Sequence, residues 1–339
     1  MIKIIEQKDK WKSVLESIQD YDFYHTYDYH LFSKLKDEKP ILIVYEYEDI
    51  RIALPLLLRK VFDTPYYDAT SVYGYAGPIS NNLDESFDNS KFIAELNDFF
   101  KTSNIITVFS RLNPFIKHQE VILKNLGEKP SSGDIVAIDL TEDIDIQRSK
   151  YSRRTKTHVN KSRRFCTVRS TNDKDEIKEY IEIYYENMNR VNATKSYYFD
   201  VEYFYKLIDS PDFESEILVI EHNETNKIIA GAMFIKTNNI VQYHLSGAKD
   251  DYLDLTPAKL LIDEMRVKAT QEGFSILNLG GGLGGQNDSL FSFKSSFSKN
   301  FKAFRVWKYI LNQEVYNDLV LKQKVNSEET NFFPLYRHK

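Results

Sequence analysis

Five of the chain's 12 glycines fall in one six-residue window, Gly280-Gly-Gly-Leu-Gly-Gly285, directly after an apolar run. The window satisfies G-x-G-x-x-G, yet no second parallel strand with a terminal acid follows it, as a dinucleotide site requires, and no Gly-Lys-Ser/Thr closes it as a Walker A loop. What such a cluster does physically is let backbone pass close to a ligand or a neighbouring strand. A second concentration lies between Gln147 and Asn172. It holds nine Lys/Arg (Arg148, Lys150, Arg153, Arg154, Lys156, Lys161, Arg163, Arg164, Arg169) and no acid, so the rest of the chain carries −14 against a total of −5. One basic element in an acidic background focuses anions such as phosphates on one place, although the same pattern also describes a solvated helix face. The seven histidines show no H-x-x-x-H or H-E-x-x-H spacing, so no metal site is expected. Neither a G-x-S-x-G elbow nor a reactive cysteine offers a covalent nucleophile, since Cys166 reads as an inert part of the basic helix.

These residues sit in 339 amino acids, 42% apolar and 28% charged, rich in Tyr (23) and Phe (22). That is enough for two domains with real cores. A single cysteine excludes an internal disulfide or a multi-cysteine metal centre and points to a reducing compartment. Apolar runs such as Ile41–Tyr45 and Ile52–Leu58 fall far short of the roughly 20 residues that span a bilayer. The N-terminus carries charge too early for a secretory leader, and a cytoplasmic location is expected.

Period and punctuation predict strands at Ile2–Ile5, Ile41–Tyr47, Arg51–Leu58, Ile105–Phe109 and Asp134–Leu140. Helices are predicted near Asp9–Gln19, Tyr27–Lys36, Lys91–Lys101 and Ile116–Leu126. The remainder repeats that order. Helices are predicted at Ile144–Phe165, Lys174–Asn189 and Val201–Ile208, then strands at Glu216–Glu221, Ile228–Ile235 and Ile240–Leu245. A helix Pro257–Gln271 with Thr256 as cap leads to a strand Ser275–Leu279, the glycine cluster, a short helix capped by Asn287 or Asp288, and a strand Phe304–Leu311. The pattern is mixed α/β with antiparallel hairpins followed by βα crossovers, and it reads as an architectural duplication.

The stretch Asn278–Phe297, a glycine-bearing strand end leading to Phe293-Lys294-x-x-Phe297, resembles the signature of the FemABX peptidyltransferases and their acyltransferase relatives. Ser71-Val-Tyr-Gly-Tyr-Ala-Gly-Pro78 is similar to the family's Tyr-Gly-Tyr/Phe-x-Gly-Pro turn, the basic helix to the start of its second half, and Tyr184–Tyr205 to its Tyr-rich helices. The resemblance implies two tandem GNAT-like domains, 1–135 with a C-terminal tail of about 312–339 returning to it, and 136–311. It also implies transfer of an aminoacyl group from aminoacyl-tRNA, or an acyl group from acyl-CoA, to an amine of a cell-wall or surface-glycan precursor, with no tightly bound cofactor. Lys294 and Phe293 become the candidate catalytic pair, and Tyr243, Tyr203, Arg190, Lys34, Gly281 and Gly282 the substrate-binding residues. The acceptor is expected between the halves, and Arg153, Arg154 and Lys161 are expected to face the donor's polyanion. Four residues before Tyr203 the family carries an Arg for a diphosphate, where this chain has Phe199. The loop Gly247–Thr256, with three acids and one glycine, lacks the Gly-rich pyrophosphate cradle of acetyl-CoA enzymes. Two rivals stand beside this reading: an acyl-CoA-dependent N-acyltransferase acting on a nucleotide-linked amino sugar, and a non-catalytic anion- or nucleic-acid-binding module.

Overall fold

Alternating side chains of two long apolar strands set the first core. In the computed structural model, which describes residues 1–325, 330 and 332–338, the elements begin with β1 (Ile2–Ile5), α1 (Lys8–Ile18), α2 (Tyr27–Ser33), β2 (Glu38–Tyr47), β3 (Ile50–Lys60), β4 (Tyr67–Thr70) and β5 (Ile79–Asn81). They continue through α3 (Ser90–Thr102), β6 (Ile105–Arg111), α4 (Gln119–Ile122), β7 (Ser131–Asp139), α5 (Ile144–Ser149), α6 (Arg153–Phe165), β8 (Cys166–Ser170), α7 (Lys174–Arg190) and α8 (Val201–Asp209). The last are β9 (Glu214–His222), β10 (Lys227–Thr237), β11 (Ile240–Ala248), α9 (Pro257–Gln271), β12 (Ile276–Gly280), α10 (Ser289–Lys294), β13 (Asn300–Ile310) and α11 (Gln313–Gln323). The chain divides into one unit of Met1–Ser132 with Ala303–Lys339 and another of Gly133–Lys302.

In the first unit the strands run β1-β2-β3-β4-β6-β13, with β5 beside β3. Because successive strand residues face opposite sides, Leu42, Val44 and Ala53 pack with Trp11, Val14 and Leu15 of α1. Ile41, Ile43, Tyr45, Ile52 and Leu54 pack instead with Phe92, Leu96 and Phe100 of α3. Covering both faces is what turns the two strands into continuous apolar runs. The predicted helix at Ile116–Leu126 shrinks to the four residues of α4, whose Gln119 donates to the carbonyls of Ala76 (2.9 Å) and Pro78 (3.0 Å) and so pins the Tyr73–Pro78 turn. The tail docks through Tyr316, Leu319 and Tyr336 against Val61 and Ile106, and Arg337 joins Arg59 on the buried carboxylate of Asp68.

The second unit orders its strands β7-β12-β11-β10-β9-β8. β9, β10 and β11 form an antiparallel meander, and β11 pairs in parallel with β12 across the crossover helix α9. The first unit follows the same plan, with α3 joining the parallel pair β4 and β6. The single helix expected over Ile144–Phe165 is two. It breaks at Lys150–Ser152, where Tyr151 is buried and its hydroxyl donates 2.9 Å to Asp263, while Ser152 caps α6 by accepting from Thr155 N (3.1 Å). Cys166 lies in β8 rather than in the basic helix, and remains buried. Thr256 occupies the N-cap position of α9 but its side chain makes no cap, because the residue is left-handed at φ 52°. No helix among the described residues is long and apolar enough to cross a membrane.

Asp263, fully buried on α9, explains much of the basic segment. It accepts from Arg148 (2.9 Å), Arg163 (2.8 Å), Arg266 (3.1 Å) and Tyr151, tying α5 and α6 to α9. Burial pushes this carboxyl up, but Arg266, Tyr151, Arg148 and Arg163 together outweigh it and hold it below its usual range. Asp263→Asn removes the charge that neutralises buried Arg266, so it is expected to destabilise the unit by about 3 kcal/mol. Denaturant unfolding reads this out, and an unchanged midpoint would contradict it.

Candidate functional site

A splayed strand pair opens the cleft of the second unit. The parallel ladder between β11 and β12 covers only Ile240–Gln242 against Ile276–Asn278. Buried Asn278 closes it, donating to Gln242 Oε1 (2.8 Å) while its own oxygen accepts from Gly280 N (2.8 Å). Beyond that point β11 runs on to Ala248 without β12. Side chains of α7 take carbonyls of the released stretch: Tyr180 donates to Leu245 O (2.9 Å), Asn187 to Ser246 O (3.4 Å) and Arg190 to Ala248 O (3.3 Å). The resulting cavity, about 470 Å³, is lined by α6 through Arg154 and His158, by Ser246–Ala248, by the first turn of α9 with Lys259, and by Phe293 and Ser296. Among the described residues no carboxylate lines it.

The glycine loop and α10 form one wall. Asp288 accepts from Leu283 N (3.0 Å) and Phe291 N (2.8 Å), capping α10, and these backbone bonds keep its carboxyl below the usual range. Gly282 packs against that carboxylate and against Gln286 O so closely that a Cβ has no room. The spacing Phe-Lys-x-x-Phe then resolves into three jobs. Phe297 is fully buried, edge-on to Tyr151 at 5.0 Å, and anchors the segment in the core. Phe293 lines the cavity. Lys294 turns back and donates to Gly281 O (2.7 Å), leaving two of its three ammonium donors for other partners. Burial, partly offset by Asp288, lowers the Lys294 ammonium to about 8.

Beneath the loop lies Gly133 at the start of β7, with φ 118°; a Cβ there would overlap the Gly285 carbonyl. Gly133→Ala is therefore expected to displace the loop and with it the carbonyl that orients Lys294. A displacement of that order costs about 10²-fold in a reaction that depends on alignment. Steady-state kcat of the variant beside its melting temperature would separate this from plain destabilisation.

The other expected site residues divide. Arg154 and Arg190 line the cavity, though Arg190 also pairs with Asp250 at 2.8 Å. Tyr243 stands behind the wall: its hydroxyl donates 2.5 Å to Ser246 Oγ, which does line the cavity, and burial pushes the phenol up to about 12. Lys161 pairs with Asp254 (3.2 Å), and neither it nor exposed Arg153 belongs to the lining. Tyr203 is buried in α8, stacked on Phe199 at 4.4 Å and 15°. Lys34 belongs to the other unit, where it ends α2. Sequence reasoning passed over His158, Lys259 and Ser246. The first two were marked only by a one-turn spacing from Arg154 on α6 and by a place in the first turn of α9.

A profile of the FemAB family matches residues 212–304, which hold the meander, α9, the glycine loop and Phe293-Lys294. No curated protein matches the sequence. Among solved structures, the crystal structure of FemX is similar with a TM-score of 0.73 at 14% identity, covering 93% of this chain and 99% of that one. L-PGS from Bacillus licheniformis gives 0.58 at 12% identity over 94% and 96% of the two chains. A conserved protein of unknown function from Bacteroides thetaiotaomicron VPI-5482 gives 0.59 at 12% over 91% and 100%. At such identities these likenesses are of fold, and they bear out the expected mixed α/β class. Residues 212–304 thus resemble the FemAB family, and nearly the whole chain is similar in fold to FemX.

Proposed function

We propose that the protein is a transferase that moves an aminoacyl or acyl group from an activated ester or thioester onto an amine of a cell-wall or surface-glycan precursor. The observation that carries this reading is Lys294: a half-buried ammonium at the end of α10 that gives one donor to Gly281 O on the glycine loop and follows directly on Phe293, which lines the cavity. Amine attack on an ester needs no protein nucleophile. It needs the reactants aligned and a positive group near the carbonyl oxygen, which becomes negative as the C–N bond forms. Lys294 supplies that charge while Phe293 shapes the channel for the acyl group. The amine loses its proton to solvent and the donor's oxygen or sulfur leaves.

The donor is aminoacyl-tRNA or acyl-CoA, and the acceptor a nucleotide- or lipid-linked precursor made in the cytoplasm. Phe199 stacked on Tyr203 stands where the family's diphosphate-binding Arg is expected, which favours an acceptor other than the usual uridine-diphosphate muropeptide. A pure nucleic-acid binder fits less well, because Arg148, Arg163 and Arg169 of the basic segment are engaged by Asp263, Glu264 and Glu176. Incubation with charged tRNA and, separately, labelled acyl-CoA, each with amine-bearing precursors, tests the reading. Ribonuclease-sensitive product identifies the tRNA donor, ribonuclease-insensitive product requiring the thioester identifies CoA, and absence of product with both sinks the proposal.

A further inference from the structure

We propose that Arg154, His158 and Lys259 form a binding site for one phosphoryl group, built from side chains and not from the backbone of a helix end. The inference deepens the transferase reading and rests on it only in calling the ligand the donor. Arg154 and His158 are one turn apart on α6, with Nε and Nε2 3.5 Å apart, and Lys259 reaches the same cavity from α9, its ammonium held by Thr155 Oγ1 at 2.9 Å. What sets them apart from Arg190, the other cation of the lining, and from most of the basic segment is charge. Arg148 and Arg163 have Asp263, Arg169 has Glu176, Lys161 has Asp254 and Arg190 has Asp250. Among the described residues Arg154 and Lys259 have no carboxylate partner, and none lines the cavity they share.

The local electrostatics agree with that geometry. Burial, then Arg154, lowers the Lys259 ammonium; burial, then Lys259, Arg154 and Lys161, lowers the His158 imidazole, whose buried Nδ1 has no hydrogen-bond partner among the described residues. Three groups that repel one another's protons in an acid-free cavity are relieved by an anion, which a planar guanidinium and an ammonium bind with charge-assisted hydrogen bonds. The start of α9 adds little backbone of its own, because Pro257 has no N–H and Thr256 is left-handed. The ligand is thus a phosphate ester or diester gripped by side chains, the chemistry shared by the phosphodiester chain of an RNA 3′ end and by the phosphates of CoA.

The groups facing His158 are Arg154 and Lys161 on its own helix, the latter paired with Asp254, and Lys259 on α9. All three are cations. Anion binding therefore raises the imidazole's proton affinity, and affinity for a dianion rises as pH falls. Sulfate, whose charge is constant over this range, is the probe. Calorimetric titration of the full chain with sulfate at fixed ionic strength should show roughly tenfold weaker binding in Arg154→Ala and in Lys259→Ala than in wild type. Wild type should bind more tightly at pH 5.5 than at pH 7.5, and His158→Gln should lose that dependence. Displacement of sulfate by a short RNA ending in CCA, or by CoA, identifies the source of the phosphoryl group. Wild type that ignores sulfate, or folded Arg154→Ala and Lys259→Ala proteins that bind it unchanged, overturns the site. A confirmed sulfate site in a protein that transfers nothing to amines leaves this inference standing and removes only the transferase reading.

Discussion

Lys294→Met is expected to lower kcat for group transfer about 10²–10³-fold, the scale of losing one preorganised donor to a developing oxyanion. Methionine keeps the length and much of the apolar stem, so Phe293 and Phe297 hold their packing; removing a desolvated ammonium also relieves a burial cost, so the melting temperature should not fall. The pH profile tells the role of the side chain. A lysine lowered to about 8 that acts through its charge loses activity as pH rises through that value, because the free amine carries no positive field. A lysine acting as a general base gives the opposite limb, with activity rising through the same pH. Lys294→Arg should retain part of the rate and move the alkaline limb upward, since guanidinium stays protonated. A methionine variant with more than about a third of the wild-type kcat, or an acid limb in place of an alkaline one, removes Lys294 from the chemistry as proposed. Sulfate affinity should be indifferent to the substitution, because Lys294 Nζ is bound to Gly281 O on the glycine loop and not to the Arg154 cluster.

Strands and helices whose own side chains decide their fate were legible. The β2–β3 hairpin, the β9–β11 meander and the crossover helix α9 all carry an unbroken apolar period, and the structure has them where the periods run. Elements decided by distant partners were not. Tyr151 and Ser152 read as part of a continuous helix, and the break between α5 and α6 exists because Asp263, 112 residues further on, captures the tyrosine hydroxyl. β8 carries Arg169 amid little apolar pattern, and its place at the sheet edge depends on pairing with β9 and on Glu176. The same distinction governs the site. The glycine loop and Phe293-Lys294 are contiguous, so their association could be read directly. The basic run could only be read as a run: which of its nine cations stay unneutralised is set by Asp263, Asp254 and Glu176 on other elements, and that subtraction leaves Arg154 facing the cavity while Lys161 is spent on Asp254.

Acidification is expected to unfold the first unit well before its carboxylates are protonated. His25 and His30 are both wholly buried, beside the Tyr73–Pro78 turn and Trp11 respectively. The Nδ1 of His25 accepts from Asp22 N (3.1 Å), and that of His30 lies 2.8 Å from Thr26 O, so each is held in place as a neutral ring. Burial lowers them from 6.5 to about 4 and about 3. In the unfolded chain both titrate near 6.5. Below that pH the unfolded state binds protons that the native state refuses, and stability falls as pH drops from 6.5 toward 4. At pH 5 the loss is about 2 kcal/mol for each ring, a large fraction of the ~5–15 kcal/mol that holds a domain together. His244, lowered to about 4 by burial, adds the same sign in the second unit. Carboxylates such as Glu176, lowered to about 2 by Arg169, contribute only below pH 4.5, outside this window. Urea unfolding of His25→Gln/His30→Gln at pH 7 and pH 5 isolates the effect. The double variant starts less stable at pH 7, through lost packing, yet should lose about 4 kcal/mol less on going to pH 5 than wild type does. Equal losses in the two proteins would mean that these rings take up protons within the folded unit, and that their burial does not set its acid limit.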